Sequence, residues 1–201
     1  RAGFGWEHGP FQIWDAIGVE AGIDMMKSEG LEPNAWVNEM LESGSMSFYT
    51  VKEGATYAYD IPSKTQQKIP GQDSFIILDN IRKSNEVFKN SGVVIEDLGD
   101  GILNVEFQSK MNTIGGDVLA GLNKAIDIAE KDFAGLVVGN QAANFSVGAN
   151  IGMIFMMAAE QEYDELNMAI KYFQDTMMRM RYSAIPTVAA PHGMALGGGC
   201  E

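Results

Sequence analysis

The sequence predicts an α/β fold over its second half, preceded by a mainly helical segment with one β-hairpin. Three observations carry this. Beyond about residue 92 the periods alternate in the order strand, strand, helix, strand, helix, helix, strand, the pattern of layered α/β architectures. Up to about residue 46 the pattern is helical, in stretches each closed by a glycine. Finally, 46% of the 201 residues are hydrophobic, enough to build a real core.

In "GPFQIWDAIGV", Pro10 opens a helix at its first turn and Gly18 closes it. "VEAGIDMMKSEG" and "EPNAWVNEMLESG" repeat that plan. The period then shortens. "SFYTVKEGATYAYD" sets two aromatic and β-branched runs around Lys52, Glu53 and Gly54, a hairpin. "IPSKTQQKIPGQDS" is polar with two prolines and reads as a loop. "FIILDNIRKSNEVFKNSG" fits a strand, a helix or a connector, and the domain boundary is placed near residues 80 to 92. "VVIEDLGDGILNVEFQ" is a second hairpin, turning at Gly99, Asp100 and Gly101. "GGDVLAGLNKAIDIAEKD" places Val118, Leu122, Ala125 and Ala129 on one helical face. "FAGLVVGNQ" is a buried strand, and "ANIGMIFMMAAEQ" is a helix. In "YDELNMAIKYFQDTMMRMRYSA", Leu166, Ile170, Phe173, Met177 and Met180 step by four and three along a second helix. "PTVAAP" is a last strand leading to terminal glycines.

Charge and composition exclude several classes. The net charge of -13 argues against nucleic acid, whose phosphates need a basic face. A small anionic ligand remains possible, because it needs only a few local donors. One cysteine leaves no disulfide framework and points to a reducing, cytoplasmic setting. No apolar run approaches the ~18 residues of a membrane span, and no signal peptide is visible. The chain begins at Arg1 inside what reads as continuous sequence, so a piece of a longer protein is expected.

Two turns carry the candidate chemistry: "NFSVGANIG" and "GMALGGGCE". Each follows a strand and reads as opening a helix, where backbone N–H groups are unpaired and the dipole is positive. Glycine lets a ligand atom approach such a backbone closely. Two such turns side by side can aim two N–H groups at one oxygen, as an oxyanion hole does. Glu201 then stands nearby as a candidate acid or base. Glycine after a strand also makes ordinary turns, and either motif alone reads that way. The glycines lack the G-x-G-x-x-G spacing of a dinucleotide site, and no Lys-Ser or Lys-Thr follows them as in a P-loop.

From about residue 92 onward, "SKMNTIGGDVLAGLNKAID", "NFSVGANI" and "PHGMALGGGCE" resemble, in order and distance, the first part of the enoyl-CoA hydratase (crotonase) superfamily. From 1 to about 60, "GFGWEHGPFQIWDAIGV" is similar to the helical C-terminal domain of 3-hydroxyacyl-CoA dehydrogenases. Together they look like a bifunctional fatty-acid β-oxidation enzyme with the dehydrogenase end first. The resemblance implies a dehydrogenase-like part with hairpin and connector over 1–85, and over 86–201 the start of a crotonase-type ββα domain. It implies that the backbone N–H groups of Ala149 and Gly198 form the oxyanion hole. Glu201 matches the first of two catalytic glutamates that act on water added to trans-2-enoyl-CoA. Ser109, Lys110, Met111 and Thr113 match the wall that holds CoA. Val147, Asn150, Ile151, Met194, Leu196 and Gly197 match other substrate contacts.

The family often has Asp at the place of Asn150 and Asn at that of His192, and the first change is expected to alter a hydrogen bond rather than chemistry. The second glutamate is expected downstream of Glu201. The NAD-binding domain and the dehydrogenase's His–Glu pair are expected upstream of Arg1, so this piece by itself binds no cofactor and completes neither site. A homo-oligomer or a thiolase is the implied protein partner. A crotonase-type isomerase or hydrolase, or a CoA-binding piece without turnover, are the alternatives.

The remaining candidates have plainer readings. His8 and His192 lack further ligands at metal spacing, so no metal is expected, and His192 reads as a turn residue bonded to backbone. Cys200 reads as a small packing residue without a base. Met153, Phe155, Met156 and Met157 are either core or the lining of a deformable acyl pocket. Trp6, Trp14 and Trp36 are expected to pack the helical part. "EQEYDELN" reads as a solvated helix start.

Overall fold

The computed structural model describes every residue except Arg1, Ala2 and Phe4, so those three positions of the expected helical segment lie outside the described residues. The chain divides into two compact units, 1–80 and 81–201.

The first unit opens with helices α1 (Pro10–Ile17), α2 (Val19–Ser28) and α3 (Ala35–Glu42). Pro10 occupies the first turn of α1, where its missing N–H costs nothing. The Asn34 side chain caps α3 by accepting from the Trp36 N–H. Val19, Ile23, Val37, Met40 and Phe48 form the buried core, with Trp14 and Trp36 packed against it. Trp6 departs from expectation, being 55% exposed. The Asp15 carboxylate accepts from the Phe48 and Tyr49 N–H groups at 2.7 and 2.9 Å, which ties α1 to the first strand.

Strands β1 (Tyr49–Lys52) and β2 (Ala55–Asp60) form the expected hairpin. The polar stretch read as a loop contains a third strand, β3 (Thr65–Lys68), antiparallel to β2. Its residues carry no apolar alternation, so the sequence gives no strand signal. The strand forms because the free edge of β2 supplies backbone partners. Asp60 nucleates the turn by accepting from the Ser63 N–H and hydroxyl, and these bonds hold its carboxyl below the usual range.

The ambiguous stretch after residue 75 becomes helix α4 (Leu78–Asn85) followed at once by strand β4 (Glu86–Lys89). In the second unit, β4, β5 (Val93–Gly99), β6 (Ile102–Phe107), β8 (Gly135–Val138) and β10 (Thr187–Ala189) make one sheet, in the order β10-β8-β6-β5-β4. The β4–β5 and β5–β6 pairs are antiparallel, while β6–β8 and β8–β10 are parallel. A second, small sheet pairs β7 (Thr113–Ile114) in parallel with β9 (Gly148–Ala149). Helix α5 (Gly116–Asp132) buries Val118, Leu122, Ala125, Ile126 and Ala129 against Val93, Ile95, Leu103, Val105 and Leu136. Helices α6 (Ile151–Ala159) and α7 (Tyr163–Arg181) follow β9.

Helix α5 reaches the sheet so closely because residue 121 has no side chain. A Cβ there would lie 2.2 Å from Val93 Cγ2 and 2.8 Å from its Cγ1. Val93 is fully buried and β-branched, so its χ1 has little freedom to yield. Gly121→Ala is therefore expected to lower stability by about 1–2 kcal/mol, because overpacking outweighs the ~1 kcal/mol of helix propensity gained. Hydrogen exchange of the β5 amides checks this, and Val93→Ala in the same chain should restore the lost protection.

Candidate active site

The two glycine-bearing turns cross. Gly148, at φ +85°, is the point of contact: a Cβ on it would fall 2.5 Å from the Leu196 carbonyl oxygen and 2.9 Å from the Gly198 nitrogen. Only glycine tolerates both that backbone and that approach. Residues 146 and 195 are bridged in parallel, with the Ser146 N–H donating to Met194 and the Leu196 N–H donating to Ser146. Ala149 and Gly198 are thereby brought together and face one cavity of about 270 Å3, which Asn150 and Glu201 also line.

The first turn does open a helix. Asn150 caps α6, its side-chain oxygen accepting from the Met153 N–H at 3.2 Å. Asp would do the same with added charge, so the amide keeps the cap and drops the charge. Residues Gly197–Gly199 form a single 3-10 turn, held by bonds from Gly199 to Leu196 and from Cys200 to Gly197. Glu201 follows it outside any helix and is exposed.

Of the remaining expected contacts, none lines the cavity. Ser109, Lys110, Met111 and Thr113 form a tight loop instead. The Ser109 hydroxyl donates to the Thr113 carbonyl, and the Thr113 hydroxyl donates to that of Lys110. Met111 and Asn112 both lie in the left-handed region, and Met111 is 62% exposed. This loop leads into β7, whose Ile114 pairs with Ala149. Val147 lies within the first turn, partly buried, and Ile151, Met194, Leu196 and Gly197 are exposed. They belong to the two turns themselves and do not line the cavity.

The apolar wall comes from helices. Met153 and Met157, one turn apart on α6, line the cavity, whereas Phe155 and Met156 point outward and are mostly exposed. Within this chain no residue of α6 is buried. The stripe on α7 divides. Leu166 and Ile170 line the cavity, Phe173 both lines it and packs on the core, and Met177 and Met180 pack on the core of the second unit. The 4-3 spacing could have flagged this face, but it does not say which end meets a core. Phe173 also sits beneath the second turn, its ring 2.7 Å from where a Cβ on Gly198 would lie.

Neighbouring polar residues are tied to backbone. His192 Nε2 donates to the Ala142 carbonyl at 2.7 Å. Cys200 is exposed rather than packed, with its thiol donating to the Ala195 carbonyl. Among the described residues, no three His, Cys, Asp or Glu side chains gather as a metal set, and no helix is long and apolar enough to cross a membrane.

Comparison with known proteins places this geometry in context. No family model matches the chain. A Bacillus subtilis protein named as a probable 3-hydroxyacyl-CoA dehydrogenase is 41% identical over 99% of this chain and 25% of its own length. A Rickettsia felis protein named as a fatty acid oxidation complex trifunctional enzyme is 25% identical over the whole chain and 25% of its own length. The chain thus spans about a quarter of the length of the curated relatives it matches. Among solved structures, an enoyl-CoA hydratase from Bacillus halodurans superposes with a TM-score of 0.50 at 21% identity, over 54% of this chain and 45% of that one. That likeness is one of fold, and it establishes the α/β, crotonase-type architecture over about half the chain.

Proposed function

We propose that this chain is part of a fatty-acid β-oxidation enzyme. Residues 86–201 begin a domain that hydrates trans-2-enoyl-CoA to 3-hydroxyacyl-CoA. Residues 1–85 end a domain that oxidises the 3-hydroxyacyl-CoA with NAD. The observation that carries this reading is the crossing of the two glycine turns, which brings Ala149 and Gly198 to one apolar cavity beside Glu201. Relatives named for fatty-acid oxidation and for 3-hydroxyacyl-CoA dehydrogenation support it.

The chemistry follows from the arrangement. The N–H groups of Ala149 and Gly198 receive the thioester carbonyl oxygen. Two donors aimed there stabilise the enolate that forms at C2, and they leave C3 electrophilic in the substrate. Water oxygen bonds to C3, a proton goes to C2, and the C2–C3 π bond is lost. Glu201 acts on the adding water as acid–base partner, together with a second glutamate outside this chain. Met153, Met157, Leu166, Ile170 and Phe173 give the acyl chain an apolar wall. The loop of Ser109, Lys110, Met111 and Thr113 holds the CoA moiety, and Val147, Asn150, Ile151, Met194, Leu196 and Gly197 frame the thioester.

NAD does not fit the residues present. The sequence holds no G-x-G-x-x-G cradle, so in this reading the oxidation step draws its NAD-binding residues from elsewhere in the protein. An assay of the full-length enzyme with crotonyl-CoA tests the proposal. Loss of the conjugated enoyl absorbance with formation of 3-hydroxybutyryl-CoA is expected. Conversion to an isomer or to free CoA instead would overturn hydration in favour of another reaction on the same hole.

A further inference from the structure

We infer that Ser146 is a positioning residue that sets the spacing of the two carbonyl-binding N–H groups, an inference that rests on the function proposed above. Ser146 is fully buried and belongs to neither donor, yet it holds the three segments that meet at the site. Its hydroxyl donates to the Asn112 carbonyl at 2.7 Å and accepts from the Gly148 N–H at 3.0 Å. Its own N–H donates to the Met194 carbonyl, and its carbonyl accepts from the Leu196 N–H, at 3.1 and 3.0 Å. Its Cβ lies 2.9 Å from where a Cβ on Gly199 would stand.

Gly148 precedes Ala149 in the chain, and Gly199 follows Gly198. Ser146 therefore touches the immediate neighbour of each donor. Through Asn112 it also anchors the loop assigned to CoA, so one side chain registers the nucleotide end and the reacting end of the thioester. The hydroxyl gives one strong hydrogen bond and takes another at the same place. Alanine would leave the Gly148 N–H and the Asn112 carbonyl without these bonds, and the turns free to separate. Displacements near 1 Å cost about a hundredfold in rate at such sites.

In the full-length enzyme, Ser146→Ala should lower kcat for crotonyl-CoA hydration about ten- to a hundredfold. KM should change less than about threefold, because the interaction lost matters chiefly in the transition state. The C=O stretch of bound butyryl-CoA, shifted by the hole in the wild-type enzyme, should move back toward its value in water. A serine with a merely structural role would reduce the folded yield and leave that stretch unchanged in the folded fraction. Should Ser146→Ala not fold, Ser146→Cys carries the same test, since its somewhat larger thiol still fills the site but is a weak donor and acceptor. Wild-type kcat and an unchanged stretch in the variant that folds would overturn the inference while leaving the hydratase reading intact. A wild-type enzyme that leaves the bound thioester unshifted would overturn both.

Discussion

Glu201→Gln in the full-length enzyme is expected to slow crotonyl-CoA hydration by about 10²–10⁴-fold, the usual contribution of a placed acid or base, while thioester binding persists. Glutamine keeps the shape and a hydrogen-bonding tip but cannot take up a proton from water. Ala149 and Gly198, which receive the thioester oxygen in this reading, are untouched by the change. The loss should therefore appear in kcat, with KM nearly constant. Enoyl absorbance reads the rate, and calorimetric titration of butyryl-CoA reads the binding. Undiminished hydration would remove Glu201 from the reaction.

The second large effect concerns stability. Behind the strands that support the site, Glu96 and Glu106 have side chains 0% and 5% exposed, on β5 and β6. The Arg82 guanidinium from α4 lies against both. It donates to Glu106 at 2.8 Å, and its Nε is 3.6 Å from Glu96. Asn104 donates to Glu96 at 3.3 Å, and the Gln141 N–H donates to Glu106 at 3.4 Å. Arg82→Ala removes the cation from two buried carboxylates, which typically costs about 3–5 kcal/mol. Hydrogen exchange over residues 93–107 should report protection lowered by a hundred- to a few thousandfold, about the same free energy. Replacing the trio together, Arg82→Met with Glu96→Leu and Glu106→Leu, should recover most of it, since apolar groups of similar volume often substitute for a buried ionic set. A single Arg82→Ala variant with undiminished protection would show that the pairs carry little of the stability.

Much of this architecture was legible in the chain because local rules point one way. Pro10 and Gly18 mark helix ends whose physics is settled within a few residues. The face of α5 that steps by four and three names its own core. Strand β3 was not legible, because Thr65–Lys68 is polar throughout and exists only as a partner to β2. Nor was the fate of the apolar residues on α6 and α7. Hydrophobicity says that a side chain avoids water, and not whether it will meet a core, a cavity or a surface.

The candidate site divides in the same way. By itself the sequence determined two glycine turns, each following a strand, and a carboxylate beside the second. Those are local features, readable from residue type and spacing. That the turns cross at Gly148, that Phe173 and Leu166 wall the cavity, and that Ser146 joins three segments were decided only by the tertiary structure. The physical reason is distance along the chain. Residues 112, 146 and 196 are brought together by parallel pairings whose strands lie tens of residues apart, and a buried serine acquires its role only from the groups that such pairings set around it.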